Sequence, residues 1–385
     1  MTGPLAGYRI IEIAGIGPGP FAAMMLADMG AEVIRVERAQ STKGPSPDRP
    51  HVDVTLRGRR SIAIDLKHAD GVATLLDLVE RADALIEGFR PGVMERLGAG
   101  PDECRSRNPK LVYGRMTGWG QDGPYADAAG HDINYISLAG ALAHFRRAGQ
   151  PPTPPLNMVG DFGGGGMFLA FGVVCALLEA QRSGAGQVVD AAMVDGSAVL
   201  MTMFWMLKDV GLFDELAPGS NLLDSGAPFY DAYECSDGKF VSIGSIEPQF
   251  YAELIRLLEL GDDAAFANQM DTSSWPDLKV RLGDRFKTRT RDEWCELMEM
   301  TDVCFAPVLT LTEAAEHPHN VERQTFVEAN GKLQPAPAPR FSRTAPVIGS
   351  APAFAGQHSR EILDDWGISK DRAVELLESG AVVDT

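Results

Sequence analysis

The sequence predicts an α/β protein with a large Rossmann-like parallel sheet and a smaller α+β domain. Over residues 8–116, short apolar runs with high β propensity alternate with helical segments, as in parallel sheets covered by helices. Residues 225–330 show a hairpin signal followed by helices, which indicates a separate small unit. With 385 residues, 45% of them hydrophobic, the chain is long enough to bury two cores.

The first half is predicted to begin as strand, tight turn, helix and strand. Residues 8–13 form the first strand, the Gly/Pro-rich segment 15–20 is the turn, and the helix covers 21–30 up to a terminal glycine. Residues 31–37 form the second strand. Further strands are expected at 61–66, 84–87 and 111–116, with helices at 70–82 and 92–97.

The second half is predicted to be more irregular. The expected elements are a short helix at 136–145, helices 164–182 and 194–211 on either side of strand 187–191, a hairpin of 229–234 and 239–244, and helices near 248–259, 274–286 and 291–300. The predicted domains are a large α/β domain at 1–195, a linker helix at 196–224, a small domain at 225–330 and a C-terminal segment at 331–385.

Charge and composition exclude several classes of partner. The net charge of −18 argues against nucleic acid or an anionic membrane surface. Residues 1–100 are nearly neutral, with 12 Lys/Arg against 13 Asp/Glu, so an anionic ligand is expected to bind there. The longest apolar stretch, residues 167–178, is too short to span a bilayer and is interpreted as a buried helix.

The N-terminal residues and the cysteines favour a cytoplasmic location. Residues 1–6 have neither a basic region nor an apolar run, so no signal peptide is expected. The five cysteines are scattered singly and none is near a histidine at metal-binding spacing. We therefore expect reduced thiols and no metal site.

The turn after the first strand imitates a dinucleotide-binding fingerprint without completing it. Gly15 and Gly17 fit the pattern G-x-G-x-x-G, but Pro20 stands where the third glycine should allow close packing of helix and strand. A nicotinamide cofactor is therefore not expected, although the turn could accept another phosphate-bearing ligand. Basic residues cluster nearby, either as a site for several phosphates or as a solvated charged face: Arg35, Arg38, Arg57, Arg59, Arg60, Lys67, Arg90 and Arg96.

Three segments place ionisable groups among glycines and apolar residues. His131, followed by Asp132, is a candidate proton-transfer base or a structural histidine in a turn. Asp161 precedes four glycines at the start of an apolar helix. It is a candidate reactive carboxylate beside free N–H groups, or it is an N-cap residue. Glu247 precedes Pro248, and taken alone it is best interpreted as a helix cap.

These segments resemble the class III CoA-transferase superfamily and, within it, the α-methylacyl-CoA racemases. The resemblance extends from Leu5 to Arg343. Its most specific blocks are residues 115–124 and 130–135, and residues 160–165 and 186–193 add to them. Residues 85–93 are similar to the family's CoA-contacting stretch.

The resemblance implies a role for each candidate. His131 and Asp161 are the two bases on opposite faces of the substrate α-carbon, and Glu247 orients the histidine ring. Apart from the resemblance, Asp132 directly follows His131 and is an alternative partner for it. His144 is close enough in the sequence to be a rival base, although its Ala-Leu-Ala-His-Phe context is typical of a structural histidine. The implied CoA-binding residues are Arg38, Asp65, Leu66, Lys67, Gly88, Phe89, Arg90, Arg96, Gly130, Asp132 and Tyr135.

The implied activity interconverts (2R)- and (2S)-2-methylacyl-CoA through an enolate, an isomerisation in lipid metabolism. N–H groups around Asp161 to Gly163 are expected to stabilise the enolate oxygen. CoA enters as part of the substrate, so no separate cofactor is expected. The family fold further implies an interlocked homodimer whose C-terminal segment returns to the large domain.

Two other functions stay open at this point. A class III CoA-transferase would use Asp161 as a nucleophile that forms a mixed anhydride and then a thioester. A catalytically silent acyl-CoA-binding protein would leave Asp161 and His131 idle. Branched fatty acyl, bile-acid-type and arylpropionyl chains are not distinguished by the sequence.

Overall fold

The computed structural model describes residues 2–43 and 52–385. Contacts divide the chain into two compact units. Unit 1 consists of Met1–Ala139, Leu156–Leu200 and Phe326–Thr385, and unit 2 of Gly140–Pro155 and Met201–Thr325. Residues 140–155, which the sequence placed in the large domain, thus belong to unit 2.

The elements follow one another as strands and helices with a few 3₁₀ turns. In chain order they are β1 (Arg9–Ile13), α1 (Pro18–Asp28), β2 (Glu32–Arg38), β3 (Arg59–Ile64), α2 (Ala69–Val79), β4 (Ala84–Glu87), α3 (Val93–Arg96), α4 (Pro101–Arg107), β5 (Val112–Thr117), α5 (Asp132–Leu138), a π-helix (Met158–Met167), α6 (Phe168–Ser183), β6 (Val188–Ala192), α7 (Met193–Leu200), α8 (Thr202–Asp209), β7 (Tyr230–Glu234), β8 (Phe240–Gly244), α9 (Pro248–Leu257), α10 (Trp275–Phe286), α11 (Arg291–Met298), β9 (Phe305–Val308), α12 (Leu311–Glu316), α13 (Pro318–Glu322), β10 (Phe326–Ala329), β11 (Lys332–Pro335), α14 (Ser359–Asp365), α15 (Lys370–Glu378) and β12 (Val382–Val383).

Unit 1 is built on a seven-stranded sheet within the described residues. Its strand order is β12-β3-β2-β1-β4-β5-β6. All neighbours pair in parallel except β12, which runs antiparallel to β3. The parallel part has the doubly wound order 3-2-1-4-5-6, in which the connections reverse direction between β1 and β4. The predicted α/β class is confirmed.

Helices cover both faces of this sheet because its strands are apolar on both sides. One core joins Ile11, Ile34 and Leu85 to α2, α14 and α15. The other joins alternate positions of the same strands, such as Ile10 and Val33, to α1 and α6. Burying each large aliphatic side chain contributes about 1.5–3 kcal/mol to folding.

Helix α6 continues the π-helix, so residues 158–183 form one apolar helix. By length and composition it is long and apolar enough to cross a membrane, the one such helix in the described residues. Leu169, Val173 and Leu177 are nevertheless buried against the sheet. This packing is that of a core helix, as the sequence predicts for residues 167–178.

Several predicted helices have different bounds. The expected helix 136–145 is instead α5 at Asp132–Leu138 and a 3₁₀ turn at Leu142–His144. The expected helix 194–211 is interrupted near Met201, which separates α7 from α8. Both differences occur where the chain passes from one unit to the other.

Unit 2 contains an antiparallel sheet of order β7-β8-β9 in the described part of the chain. The predicted hairpin is confirmed, since Tyr230 pairs with Gly244 and Glu234 with Phe240. Its core places α10 and α11 on the sheet and includes the aromatic side chains of Phe229, Trp275, Phe286 and Trp294.

Candidate active site

A cavity of about 410 Å³ lies at the carboxyl ends of β1, β4 and β5 in unit 1. Ligands in doubly wound sheets bind at this edge, where the strand order reverses. Among the predicted site residues, seven line this cavity: Gly88, Phe89, Arg90, Gly130, His131, Tyr135 and Asp161. Residues far apart in the sequence therefore meet at the place where the topology favours a ligand.

Two buried arginines hold the turn that forms the floor of the cavity. The Arg35 guanidinium donates to the Gly15 carbonyl at 3.0 Å, and that of Arg59 to the Pro20 carbonyl at 2.6 Å. Both also pair with the buried carboxylate of Glu12. Burial alone would raise the pKa of Glu12, but Arg59 and Arg35 hold it below its ordinary value.

The interpretation of the basic cluster as a phosphate site or a solvated face is wrong for its central members. Arg57 and Arg59 are buried, and Arg57 binds Asp28 at 2.6 Å. Arg57 also donates to the Gln334 side chain at 2.8 Å. These guanidinium groups stabilise the fold, because a buried charge requires a partner.

The outer cations lie where a phosphate-bearing ligand could reach them. Arg38 is the last residue of β2, Lys67 follows the end of β3, and Arg90 follows the end of β4. Their side chains are exposed, and within residues 2–43 and 52–385 they form no ion pair. Since these strands are parallel, the three cations share one edge of the sheet.

The remaining predicted CoA-side residues are near this edge but outside the lining of the cavity. Asp65 and Leu66 directly follow β3 and are half-buried. Arg96, at the end of α3, is exposed. Asp132 is buried behind the lining, where its carboxylate binds protein instead of facing the cavity.

Asp161 lies in the first turn of the π-helix and not at its N-cap. Its carboxylate accepts a hydrogen bond from the Asn157 amide at 3.1 Å. A Cβ at Gly17 would lie 3.5 Å from Oδ2 of Asp161, which puts this carboxylate beside the turn after β1. Burial raises the pKa of Asp161; the Asn157 amide opposes the rise, Asp132 adds to it and His131 opposes it.

The expected oxyanion donors are partly occupied. The Asp161 N–H donates to Oδ2 of Asp132 at 2.7 Å, so it is not free for an enolate oxygen. That part of the prediction is wrong, because the first turn of a helix needs acceptors for its own N–H groups.

The glycines after Asp161 serve helix packing and not approach of a ligand. A Cβ at Gly164 would lie 2.6 Å from the backbone N of Ser197, and one at Gly166 would lie 2.7 Å from the Phe21 ring. The π-helix thus packs closely on α7 and α1. The entropy that glycines lose on folding is offset here by close helix contacts.

His131 precedes α5 with its imidazole exposed. Its backbone N–H donates to Oδ1 of Asn134 at 3.0 Å, which fixes the start of the helix. The Asp132 carboxylate binds the backbone of Asp161 and not the imidazole.

Glu247 is the N-cap residue of α9 in unit 2, but its side chain does not cap the helix. The preceding turn is held by Gln269, whose amide donates to the carbonyls of Ser245 at 3.0 Å and Ile246 at 2.9 Å. The interpretation of Glu247 as a capping side chain is therefore wrong, and its carboxylate is exposed.

His144 does not belong to the unit 1 cavity. It lines a separate cavity of about 960 Å³ in unit 2 and contacts Phe213 edge-on, with 4.9 Å between ring centroids. Burial lowers the pKa of His144. These surroundings favour its structural interpretation over that of a rival base.

Sequence reasoning missed two carboxyl groups and an indole of the cavity. Glu12, Glu87 and Trp119 line it. Burial raises the pKa of Glu87 to about 7, against hydrogen bonds from the Phe89 N–H and Arg115. An acidic residue inside an apolar strand was the available signal for Glu12 and Glu87.

The described residues contain no group of three or more His, Cys, Asp or Glu side chains that could hold a metal ion. The Asp161 carboxylate and the His131 imidazole at the cavity can transfer protons or attack as nucleophiles.

Comparisons with known proteins show the family to which the chain belongs. The model of "CoA-transferase family III" matches residues 5–359. The chain is 45% identical to the α-methylacyl-CoA racemase of Mus musculus and 44% identical to that of Homo sapiens, in each case over 97% of this chain and 96% of the relative. The crystal structure of a CaiB/BaiF family protein from Brucella suis superposes with a TM-score of 0.82 and 25% identity, covering 95% of this chain and 100% of that one. The chain belongs to CoA-transferase family III.

Proposed function

We propose that this protein is an α-methylacyl-CoA racemase, an isomerase that interconverts (2R)- and (2S)-2-methylacyl-CoA. The observation that carries the proposal is that His131 and Asp161 line the same cavity at the switch point of the sheet. An imidazole and a carboxylate at one cavity supply the two acid/base groups that inversion of a carbon centre requires.

The reaction passes through a planar enolate. One of the two groups removes the α-proton from one face, and the conjugate acid of the other returns a proton to the opposite face. The raised pKa of Asp161 makes its carboxylate a stronger base than an exposed aspartate. No resident cofactor or metal takes part in this proposal, because the thioester carbonyl itself accepts the negative charge.

The CoA moiety is proposed to lie along the carboxyl edge of the sheet. Arg38, Lys67 and Arg90 are exposed there and match phosphate oxygens in charge. Glycine at position 88 leaves room for a ligand, since a Cβ there would meet only the Met116 carbonyl, at 3.6 Å.

Glu247 is proposed to orient the His131 ring. The support is its uncapped carboxylate on a turn that Gln269 holds. Glu247→Gln should lower kcat for epimerisation and shift the limb of the pH profile that reports the histidine. An unchanged pH profile would remove Glu247 from this role.

We further infer an interlocked homodimer in the cytoplasm, with neither nucleic acid nor a membrane as partner. An apolar stripe is exposed at the end of the π-helix and along α6, at Met167, Phe171 and Leu178. Helix α8 buries none of its residues, although Trp205 and Met206 are large and apolar. Such surfaces in a folded protein mark contact with another chain.

The proposed cytoplasmic location rests on the cysteines. Five free cysteines suit a reducing compartment.

The deciding experiment is incubation of the protein with one enantiomer of a 2-methylacyl-CoA in deuterated water. Deuterium at the α-carbon together with loss of optical purity, without an added acceptor acid, is the expected result. Asp161→Asn should abolish epimerisation and retain thioester binding. Transfer of CoA to an added carboxylic acid without α-exchange would instead make Asp161 the nucleophile of a CoA-transferase.

A further inference from the structure

Asp161 is held from two sides by neighbours that act on different atoms. Oδ2 of Asp132 accepts the backbone N–H of Asp161 at 2.7 Å. The Asn157 amide donates to the carboxylate of Asp161 at 3.1 Å. One neighbour thus fixes the backbone, and the other contacts the reactive group.

This arrangement differs from an ordinary helix start. The first four N–H groups of a helix lack partners inside it, and the N-cap side chain usually accepts one of them. Asn157 occupies the N-cap position of the π-helix, but its side chain does not cap. The fourth N–H, that of Asp161, is satisfied by Asp132 from outside the helix.

Gly160 makes the approach of Asp132 possible. A Cβ at this position would lie 2.6 Å from Oδ2 of Asp132, so any other residue would displace the carboxylate. The Asp132 side chain is buried, with 6% of the residue exposed, and its Oδ1 has no hydrogen-bond partner among the described residues. A buried carboxylate that is only half satisfied is costly, which indicates a role beyond capping.

Few other charges act on Asp161. His131, Asp132 and Tyr135, before and within α5, are the titratable groups that face it. Glu12, Glu87 and Arg90 line the same cavity. Where α1 and α7 contact the π-helix, they present Phe21, Met193 and the backbone around Ser197. Asp132 is therefore the nearby negative charge with direct contact to Asp161.

We propose that Asp132 and Asn157 are positioning residues that act through Asp161. Asp132 fixes the backbone of Asp161 and strengthens its affinity for a proton, whereas Asn157 stabilises the ionised carboxylate and weakens that affinity. The inference rests on the proposed function, in which Asp161 is an acid/base group, and it replaces the assignment of Asp132 to CoA binding or to His131.

The two residues should shift the pH profile in opposite directions. Asp132→Asn keeps an acceptor oxygen for the Asp161 N–H and removes the charge, so the limb of kcat/KM that reports Asp161 should move to lower pH. Asn157→Ala should move the same limb to higher pH. Asp127→Asn removes one negative charge from an exposed position in the neighbouring loop and should leave the limb in place.

Loss of the backbone contact should reduce turnover. Asp132→Ala and Gly160→Ala should each lower kcat about 10- to 100-fold, the range found when supporting contacts of functional groups are removed. Asp132→Asn should restore most of the kcat lost in Asp132→Ala. An equal loss of kcat in Asp132→Asn and Asp132→Ala would overturn the proposal. So would a pH profile of kcat/KM that stays the same in Asp132→Asn and Asn157→Ala.

A direct titration separates this proposal from the proposed function. With ¹³C-labelled aspartate and Asp161→Asn for assignment, the pKa of Asp161 should fall in Asp132→Asn, rise in Asn157→Ala and stay constant in Asp127→Asn. If these shifts occur but the wild type exchanges no α-proton, the racemase function is contradicted and the positioning role of Asp132 and Asn157 is supported. If the wild type exchanges the α-proton but the pKa of Asp161 does not shift in the variants, the racemase function is supported and the positioning role is contradicted.

Discussion

Glu87 shows how much one buried side chain depends on its surroundings. It lies at the end of β4, with 1% of the residue exposed, and accepts hydrogen bonds from the Phe89 N–H at 2.7 Å and from Arg115 at 3.1 Å. Loss of hydration still outweighs these contacts and raises its pKa to about 7. Its charge therefore changes within the physiological pH range.

The raised pKa of Glu87 predicts a pH-dependent stability. Its folded pKa of about 7 exceeds the ordinary 4.5, so the folded state binds the proton more tightly and loses stability as pH rises between these values. Relative to Glu87→Gln, the wild type should lose stability from pH 5 to pH 8, by about 3 kcal/mol at most. Denaturant unfolding at both pH values measures the difference.

Glu95 provides a matched control, because it also pairs with Arg115, at 2.7 Å. Burial alone would raise the pKa of Glu95, but Arg115 holds it below its ordinary value. Glu95 therefore stays ionised over the same pH range. The stability difference between the wild type and Glu95→Gln should be constant from pH 5 to pH 8. An equally constant difference for Glu87→Gln would contradict the prediction.

Arg38 is expected to bind a phosphate of CoA. Arg38→Ala should weaken the binding of CoA about tenfold, since a hydrogen bond to a charged group contributes about 1.5 kcal/mol or more. The salt dependence of binding should also become smaller. Isothermal titration calorimetry at two ionic strengths measures both, and the exposed Arg182 at the end of α6 supplies the control Arg182→Ala. Unchanged affinity for Arg38→Ala would place the phosphates elsewhere.

At the scale of elements, the π-helix is a close-packed junction. Its glycines bring it into contact with α1 and α7, and α7 also has a glycine at the contact. A Cβ at Gly196 would lie 1.9 Å from the Gly164 carbonyl oxygen. The position of Asp161 therefore depends on three helices that approach through their backbones.

Gly164→Ala should destabilise unit 1 although alanine favours helices. The added Cβ would meet the backbone N of Ser197 at 2.6 Å, and overpacking of this kind costs about 1–3 kcal/mol, more than the gain in helix propensity of about 1 kcal/mol. Thermal unfolding measures the loss. Gly261→Ala, where no atom lies within 4 Å of the added Cβ, is the control. A Tm of Gly164→Ala at or above that of the control would refute the packing argument.

The sequence predicted most strands of the large sheet because their apolar runs are local signals. It did not predict the role of the glycines at 163–166. A glycine that leaves room for a ligand cannot be distinguished in a sequence from one that lets a neighbouring helix pack closely. It also could not show that Arg57 is buried, because its partners Asp28 and Gln334 lie 29 and 277 positions away. The candidates His131 and Asp161 were found from residue type, but their meeting at one cavity follows only from the fold.

At the scale of the whole molecule, the proposed dimer predicts a mass in solution of twice 41.4 kDa. Phe171, 69% exposed on α6, is the central residue of the apolar stripe. Phe171→Glu should lower the dimer fraction in analytical ultracentrifugation, because a charge would be buried at the contact. Val374→Glu, at a half-exposed position on α15, should leave the mass unchanged. A monomeric wild type would refute the dimer.

The late strand β12 has a consequence for how the protein is made. It covers the last two residues of the outer edge of β3, since Val382 and Val383 pair with Ile64 and Ala63. While a ribosome is still translating the residues between these strands, β3 of the nascent chain has no partner on that side. Bare strand edges pair with other chains, so synthesis passes through a long interval in which aggregation competes with folding. Slow translation or a lack of chaperones should therefore reduce the yield of soluble protein. The free energy of unfolding of the protein that does fold should stay the same.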